Sequence, residues 1–227
     1  MAYRLLVVGA SWGGSRAVGS LLQALPPKLP LAIAIAQHRS ADSPDNVLIP
    51  ILSKHTQLPV SSVEDKDPVI PQHVYVAPAG YHLLLEDERF ILSTEEPVRF
   101  SRPSIDVLFC SAADAYRSGA IGVVLTGANS DGAAGLVCIR RMGGIGLVQD
   151  PSTAEKPAMP QAAIEGGGAH LVLPIAEIAA FVASLCGVDP ARRDRETTAG
   201  PPRDRQTTAG PPRGRETTAD NVRGAPR

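Results

Sequence analysis

Tyr3-Arg4-Leu5-Leu6-Val7-Val8-Gly9-Ala10-Ser11-Trp12-Gly13-Gly14 is the stretch on which the fold turns. Its apolar run shows no polar alternation, the mark of a strand buried on both faces in a parallel sheet. Glycines then punctuate the chain, and over residues 15–25 the apolar positions recur at helical spacing. Strand, tight turn and helix together make the opening of a βαβ unit.

The same rhythm recurs downstream. Residues 31–37, 121–125, 145–149 and 170–173 read as further strands beside 3–8, and residues 44–54, 104–117, 133–142 and 175–185 as helices beside 15–25. The expected fold is α/β, a mainly parallel sheet with helices on both faces in three layers. One segment departs from the pattern. Between about Val74 and Ser93, three short apolar runs alternate with Pro-Ala-Gly and Glu-Asp-Glu turns, which predicts an antiparallel meander or hairpin.

Composition narrows the function classes. The chain has 227 residues and is 44% apolar, enough for a sizeable core over residues 1–188. Its net charge of −1 hides an asymmetry, since residues 189–227 hold nine Arg against six acids. This tail repeats Arg193-Asp-Arg-Glu-Thr-Thr-Ala-Gly-Pro-Pro nearly unchanged from Arg203; without apolar groups to offset ordering entropy, it is expected to be disordered. The body carries no basic footprint for nucleic acid. The N-terminal apolar run stops at Gly9, too soon for a signal peptide or a membrane span, so a cytoplasmic protein without membrane insertion is expected. Cys110, Cys138 and Cys186 are odd in number and set in apolar sequence, which reads as reduced core thiols.

In an open parallel sheet, ligands bind beyond the carboxyl ends of the strands. Three residues there carry chemistry. Ser11 lies in Gly9-Ala10-Ser11-Trp12-Gly13, a G-x-S-x-G spacing that exposes a hydroxyl on a strand-to-helix turn. Backbone N–H groups of Trp12 and Gly13, at the helix start, could hold an oxyanion. His38 ends the apolar second strand, and Asp131 follows the turn after residues 121–125. Together they suit a nucleophile, a base and an orienting acid. Each has a plainer alternative: Ser11 and Asp131 as helix caps, His38 as a loop-start hydrogen-bonding group. His170 opens a strand, which places it at the opposite edge. Ser11 replaces the second glycine of G-x-G-x-x-G, which argues against a dinucleotide site, and no Gly-Lys-Ser/Thr of a P-loop follows. His55, His73 and His82 are too scattered for zinc.

Seven ordered elements carry a family resemblance: residues 7–14, Gln37-His38-Arg39-Ser40, residues 75–82, residues 102–109, residues 124–136, Gln149-Asp150-Pro151 and residues 158–164. Across residues 3–178 the chain resembles the catalytic domain of the chemotaxis protein-glutamate methylesterases. The resemblance implies a Rossmann-like parallel sheet with an antiparallel hairpin, and puts nucleophile, base and acid at Ser11, His38 and Asp131. It implies hydrolysis of glutamate methyl esters, and of glutamine amides, on methylated chemoreceptor-like partner proteins, without metal or cofactor. Arg102 and Met159 fall in elements resembling those that line the family's cleft. The chain departs from the family in Trp12, where Thr is common, and in Ala128-Asn129, where Met-Gly is usual. It also leaves no room for an N-terminal receiver domain before Tyr3. A general small-ester hydrolase and a weakly catalytic receptor-binding module are the competing functions. Nothing in the sequence sets the oligomeric state.

Overall fold

The structure is a computed structural model that describes residues 3–40 and 45–188. The repeat tail lies outside the described residues. In chain order the elements are β1 (Leu5–Ala10), α1 (Gly14–Ala24), β2 (Ala32–Gln37), α2 (Asp45–Ser53), β3 (Val60–Ser62), β4 (Val74–Val76), β5 (His82–Glu86) and β6 (Arg89–Ser93). There follow α3 (Ile105–Tyr116), β7 (Ala120–Val124), α4 (Ala133–Arg141), β8 (Ile145–Gln149), α5 (Ala158–Glu165), β9 (Leu171–Leu173) and α6 (Ile175–Leu185).

Seven strands form one parallel sheet in the order β3-β4-β2-β1-β7-β8-β9. β1 is central, and its side chains alternate between two cores. Leu6, Val8 and Ala10 pack with α1, α2 and α6 on one face. Leu5 and Val7 pack with α3, α4 and the β5–β6 hairpin on the other. Each fully buried Leu or Val contributes roughly 1.5–3 kcal/mol, so a strand lacking polar residues is stable only where both faces are covered. The chain runs outward from β1 through β2, then returns to place β7 on the other side of β1. That reversal opens a crevice at the carboxyl ends of β1 and β7.

Three expectations need correction. Residues 74–76 are not part of a meander: β4 pairs parallel with β2, Ile33 opposite Val74 and Ile35 opposite Val76, and is buried throughout. Among the described strands, β5 and β6 are the pair that runs antiparallel. Val-Tyr-Val has an apolar side chain for each face, which suits an inner position in the sheet, not a hairpin with one wet side. The strand β3 and the helix α5 were not expected from periodicity. β3 is a short, half-polar edge, and α5 begins directly after Pro157 with Pro160 in its first turn, where missing N–H groups cost no helical bond. Lastly, Cys110 and Cys138 form a disulfide and are not reduced thiols. α3 and α4 pack so closely that a Cβ on Gly135 would lie 2.6 Å from Phe109 Cβ, and this approach brings the two cysteine Cα atoms to 5.2 Å. Cys186 remains a free thiol.

Candidate active site

Ser11 sits on the turn between β1 and α1. Its N–H bonds to the Thr126 carbonyl, and Gly14 N–H bonds back to the Ser11 carbonyl. Gly13 has φ 76°, a left-handed conformation that glycine takes without a Cβ penalty. α1 is capped by Gly13 without any side-chain cap bond, so Ser11 is not an N-cap. Its Oγ lies 3.2 Å from His38 Nδ1.

His38 continues β2, its N–H bonding to the Ala10 carbonyl, which carries the ring across to the tip of β1. Its Nε2 lies 2.7 Å from Asp131 Oδ2. Nδ1 also faces Ser101 Oγ at 3.4 Å and Asn129 Nδ2 at 3.3 Å. With a carboxylate on one side and donors on the other, the fitting neutral tautomer carries its proton on Nε2 and leaves Nδ1 as acceptor.

Asp131 is fully buried. It does cap a helix, but chiefly α3 and not the α4 that follows it. Ser104 Oγ donates to Oδ1 at 2.9 Å, Ile105 N–H to Oδ2 at 2.7 Å and Asp106 N–H to Oδ1 at 2.9 Å. These donors lie at a helix N-terminus, where the dipole favours an anion. Burial pushes the carboxyl up, but the hydrogen bonds from His38, Asp106 and Ile105 outweigh it and hold Asp131 below the ordinary carboxylate range.

Asp106 belongs to the same cluster and was not singled out from sequence. Its Oδ1 accepts Gly132 N–H at 2.9 Å and Gly135 N–H at 2.7 Å, while Arg99 Nε sits 3.3 Å from Oδ2. Burial, joined by the nearby Asp131 charge, pushes its carboxyl up against the opposing pull of those donors.

The arrangement pairs a hydroxyl, an imidazole and an ionised carboxylate beside N–H groups of Trp12 and Gly13, for which no acceptor is found among the described residues. Against known proteins, the CheB methylesterase family model matches residues 6–182. The chain belongs to the CheB methylesterase family. Among similar CheB-family proteins, a putative protein-glutamate methylesterase/protein-glutamine glutaminase of Leptospira interrogans is 46% identical over 180 residues, covering 79% of this chain and 93% of the relative. A protein-glutamate methylesterase/protein-glutamine glutaminase of Anaeromyxobacter dehalogenans is 41% identical and covers 77% of this chain, which spans 51% of that longer relative. The crystal structure of the Thermotoga maritima CheB methylesterase catalytic domain superposes with TM-score 0.75 at 31% identity, over 82% of this chain and 100% of that one.

The remaining sequence candidates are held by other contacts. Arg102 Nη1 donates to the carbonyls of Thr94 and Glu95, so it ties down the loop after β6. Met159 is fully buried; a Cβ on Gly127 would lie 2.1 Å from its Sδ, so it underlies the loop after β7. His82 is buried between Ser104 N–H and the Glu96 carbonyl, and His170 accepts from Gly146 N–H at the far edge of the sheet. Among the described residues no cluster of His, Cys, Asp or Glu is placed to hold a metal, and no helix is long and apolar enough to cross a membrane.

Proposed function

We propose that this CheB-family chain is a serine hydrolase that removes methyl groups from glutamate γ-methyl esters of a protein substrate through a glutamyl-Ser11 intermediate. The same apparatus would hydrolyse a glutamine amide. The observation that carries the reading is the chain of contacts from Ser11 Oγ through both nitrogens of His38 to buried Asp131. His38 Nδ1 takes the hydroxyl proton as Ser11 Oγ attacks the ester carbonyl, and Asp131 stabilises the imidazolium that forms. The N–H groups of Trp12 and Gly13 receive the developing oxyanion. His38 returns the proton to the departing methoxide, releasing methanol. A water, deprotonated by the same nitrogen, then attacks the acyl-Ser11 carbonyl; the acyl–oxygen bond breaks, His38 returns the proton to Ser11 Oγ, and the glutamate carboxylate is freed.

The activities for which the relatives are named support the substrate class. The substrate protein in this proposal is a methylated chemoreceptor-type protein met in the cytoplasm, which rests on the family resemblance. The experiment is methanol release from a methyl-esterified receptor segment. Ser11→Ala reduces it to background while far-UV circular dichroism stays unchanged; undiminished release would overturn the assignment.

A further inference from the structure

Two large aromatic side chains stand exposed within one residue of groups that touch His38. Trp12 follows Ser11 and is 58% exposed. Phe100 precedes Ser101, whose Oγ lies 3.4 Å from the same His38 Nδ1 that meets Ser11, and Phe100 is fully exposed. Successive Cα atoms are about 3.8 Å apart, so the backbone of both aromatics lies beside residues that meet His38.

Neither residue is there by default. Phe100 and Arg99 are the central pair of a two-residue turn closed by the Val98–Ser101 bridge, with φ of 62° and 48°. Primed turns of this kind favour Asn and Gly, and an aromatic residue seldom adopts positive φ. The turn is nonetheless fixed: Arg99 bonds Ser130 Oγ and pairs with Asp106, which ties its tip to the loop that carries Asp131. Trp12 is held as firmly. Its Nε1 donates to Glu155 Oε1 at 3.0 Å, Lys156 Nζ lies 5.8 Å from its ring centroid, and Thr126 Oγ1 bonds its carbonyl. The Phe100 ring, fully exposed on a backbone of positive φ, has no packing to repay that strain, which points to a role outside the fold.

We propose that Trp12 and Phe100 are specificity-determining anchors that grip the polypeptide flanking the scissile glutamyl ester, so that the site selects a protein ester over a small one. This rests on the esterase reading above. A free glutamyl ester held at Ser11 offers little beyond its own α-substituents, whereas residues flanking the ester in a chain extend toward side chains one residue from Ser11 and from Ser101, both of which meet His38 Nδ1. The surrounding charge leans positive: Arg16 (side chain 85% exposed) pairs with Glu155 and half-exposed Arg99 with the largely buried Asp106, and Lys156 beside the Trp12 ring adds a third cation to those two acids, a balance that suits an acidic segment.

The test compares kcat/KM for an acidic, alanine-rich peptide bearing one internal glutamate γ-methyl ester with that for N-acetyl-glutamate γ-methyl ester α-amide. In Phe100→Ser the peptide-to-small-ester ratio is expected to fall about tenfold, through KM for the peptide, with Phe100→Tyr retaining it. A ratio within about twofold of wild type in Phe100→Ser overturns the proposal, as does a wild-type enzyme that prefers the small ester. Failure of the wild type on both esters instead removes the esterase reading.

Discussion

Asp106 and Asp131 exchange helix caps. Asp131, just before α4, accepts the N–H groups of Ile105 and Asp106 in the first turn of α3; Asp106 accepts those of Gly132 and Gly135 at the start of α4. Two helices whose dipoles would each attract an anion thus each supply it to the other. Removing Asp106 takes the side-chain acceptor from Gly135 N–H and leaves Gly132 N–H only its longer bond to Asp131 Oδ1, so Asp106→Ala is expected to lower stability by about 1–3 kcal/mol and reduce turnover by loosening Asp131. Asp106→Asn keeps a carbonyl acceptor at Oδ1 and should stay within about 1 kcal/mol of wild type, since the lost Arg99 pair is half-exposed. Urea denaturation with methanol release separates the two variants; equal losses would mean that charge, not hydrogen bonding, holds the pair.

The same exchange sets opposite pH dependences. Folding lowers the Asp131 carboxyl from its ordinary 3.8, so its contribution is present above that value and is lost as pH falls through the folded one. Folding raises Asp106, so its ionisation opposes the fold, and stability declines as pH climbs from 3.8 through the raised value. Asp131→Asn should therefore remove part of the acid-side loss, and Asp106→Asn should flatten the decline just above pH 3.8. Unfolding free energies across this range decide it, and an unaltered slope in Asp106→Asn would contradict the sign given for Asp106.

Asp131→Asn also bears on the chemistry. An amide at this position can still meet His38, but it donates where a carboxylate accepts, and so favours the wrong imidazole tautomer. Turnover is expected to fall by about ten-thousand-fold with KM little changed. Single-turnover methanol release measures it, and a loss below tenfold would remove Asp131 from the proton relay.

How much of this was legible before the structure follows from the range of the interactions. Ser11 and His38 lie directly after a strand and Asp131 on the loop that follows one, and strands buried on both faces announce themselves by composition alone, so their shared edge could be read from sequence. Asp106 could not. An acid in a first helical turn is ordinary, and only the approach of α4 turns it into a cap for another helix. The approach has a local signature in Gly135, where any side chain would meet Phe109, but a glycine inside a helix does not name its neighbour. The disulfide was missed for the same reason: its cysteines lie 28 residues apart on two helices, and nothing local fixes how those helices pack.

That crosslink makes its own prediction. Closing a loop of this length restricts the unfolded chain by about 3–4 kcal/mol in the loop-entropy treatment. The Cys110→Ala/Cys138→Ala double variant should therefore unfold at lower urea, and adding reductant to wild type should reproduce most of the shift. Wild type that is insensitive to reductant, with both thiols open to alkylation, would show the bond absent in solution.

Gly9 tests whether the α3 cap and the nucleophile turn are mechanically linked. A Cβ on Gly9 would lie 2.3 Å from Ile105 Cγ2, and Ile105 N–H is one of the donors that hold Asp131. Gly9→Ala therefore either forces Ile105 off its rotamer or lifts the start of α3 from the end of β1, at about 1–3 kcal/mol. Lifting α3 draws Asp131 from His38, so activity should fall by more than the loss of folded protein explains. Ile105→Ala removes the clashing methyl at its own cost of about 2–5 kcal/mol. If the contact is the cause, the double variant is more stable than the sum of the two singles by at least about 1 kcal/mol, and part of the Gly9→Ala activity loss is recovered. Additivity within about 0.5 kcal/mol would place the cost of the methyl elsewhere, and with it the link between strand tip and cap.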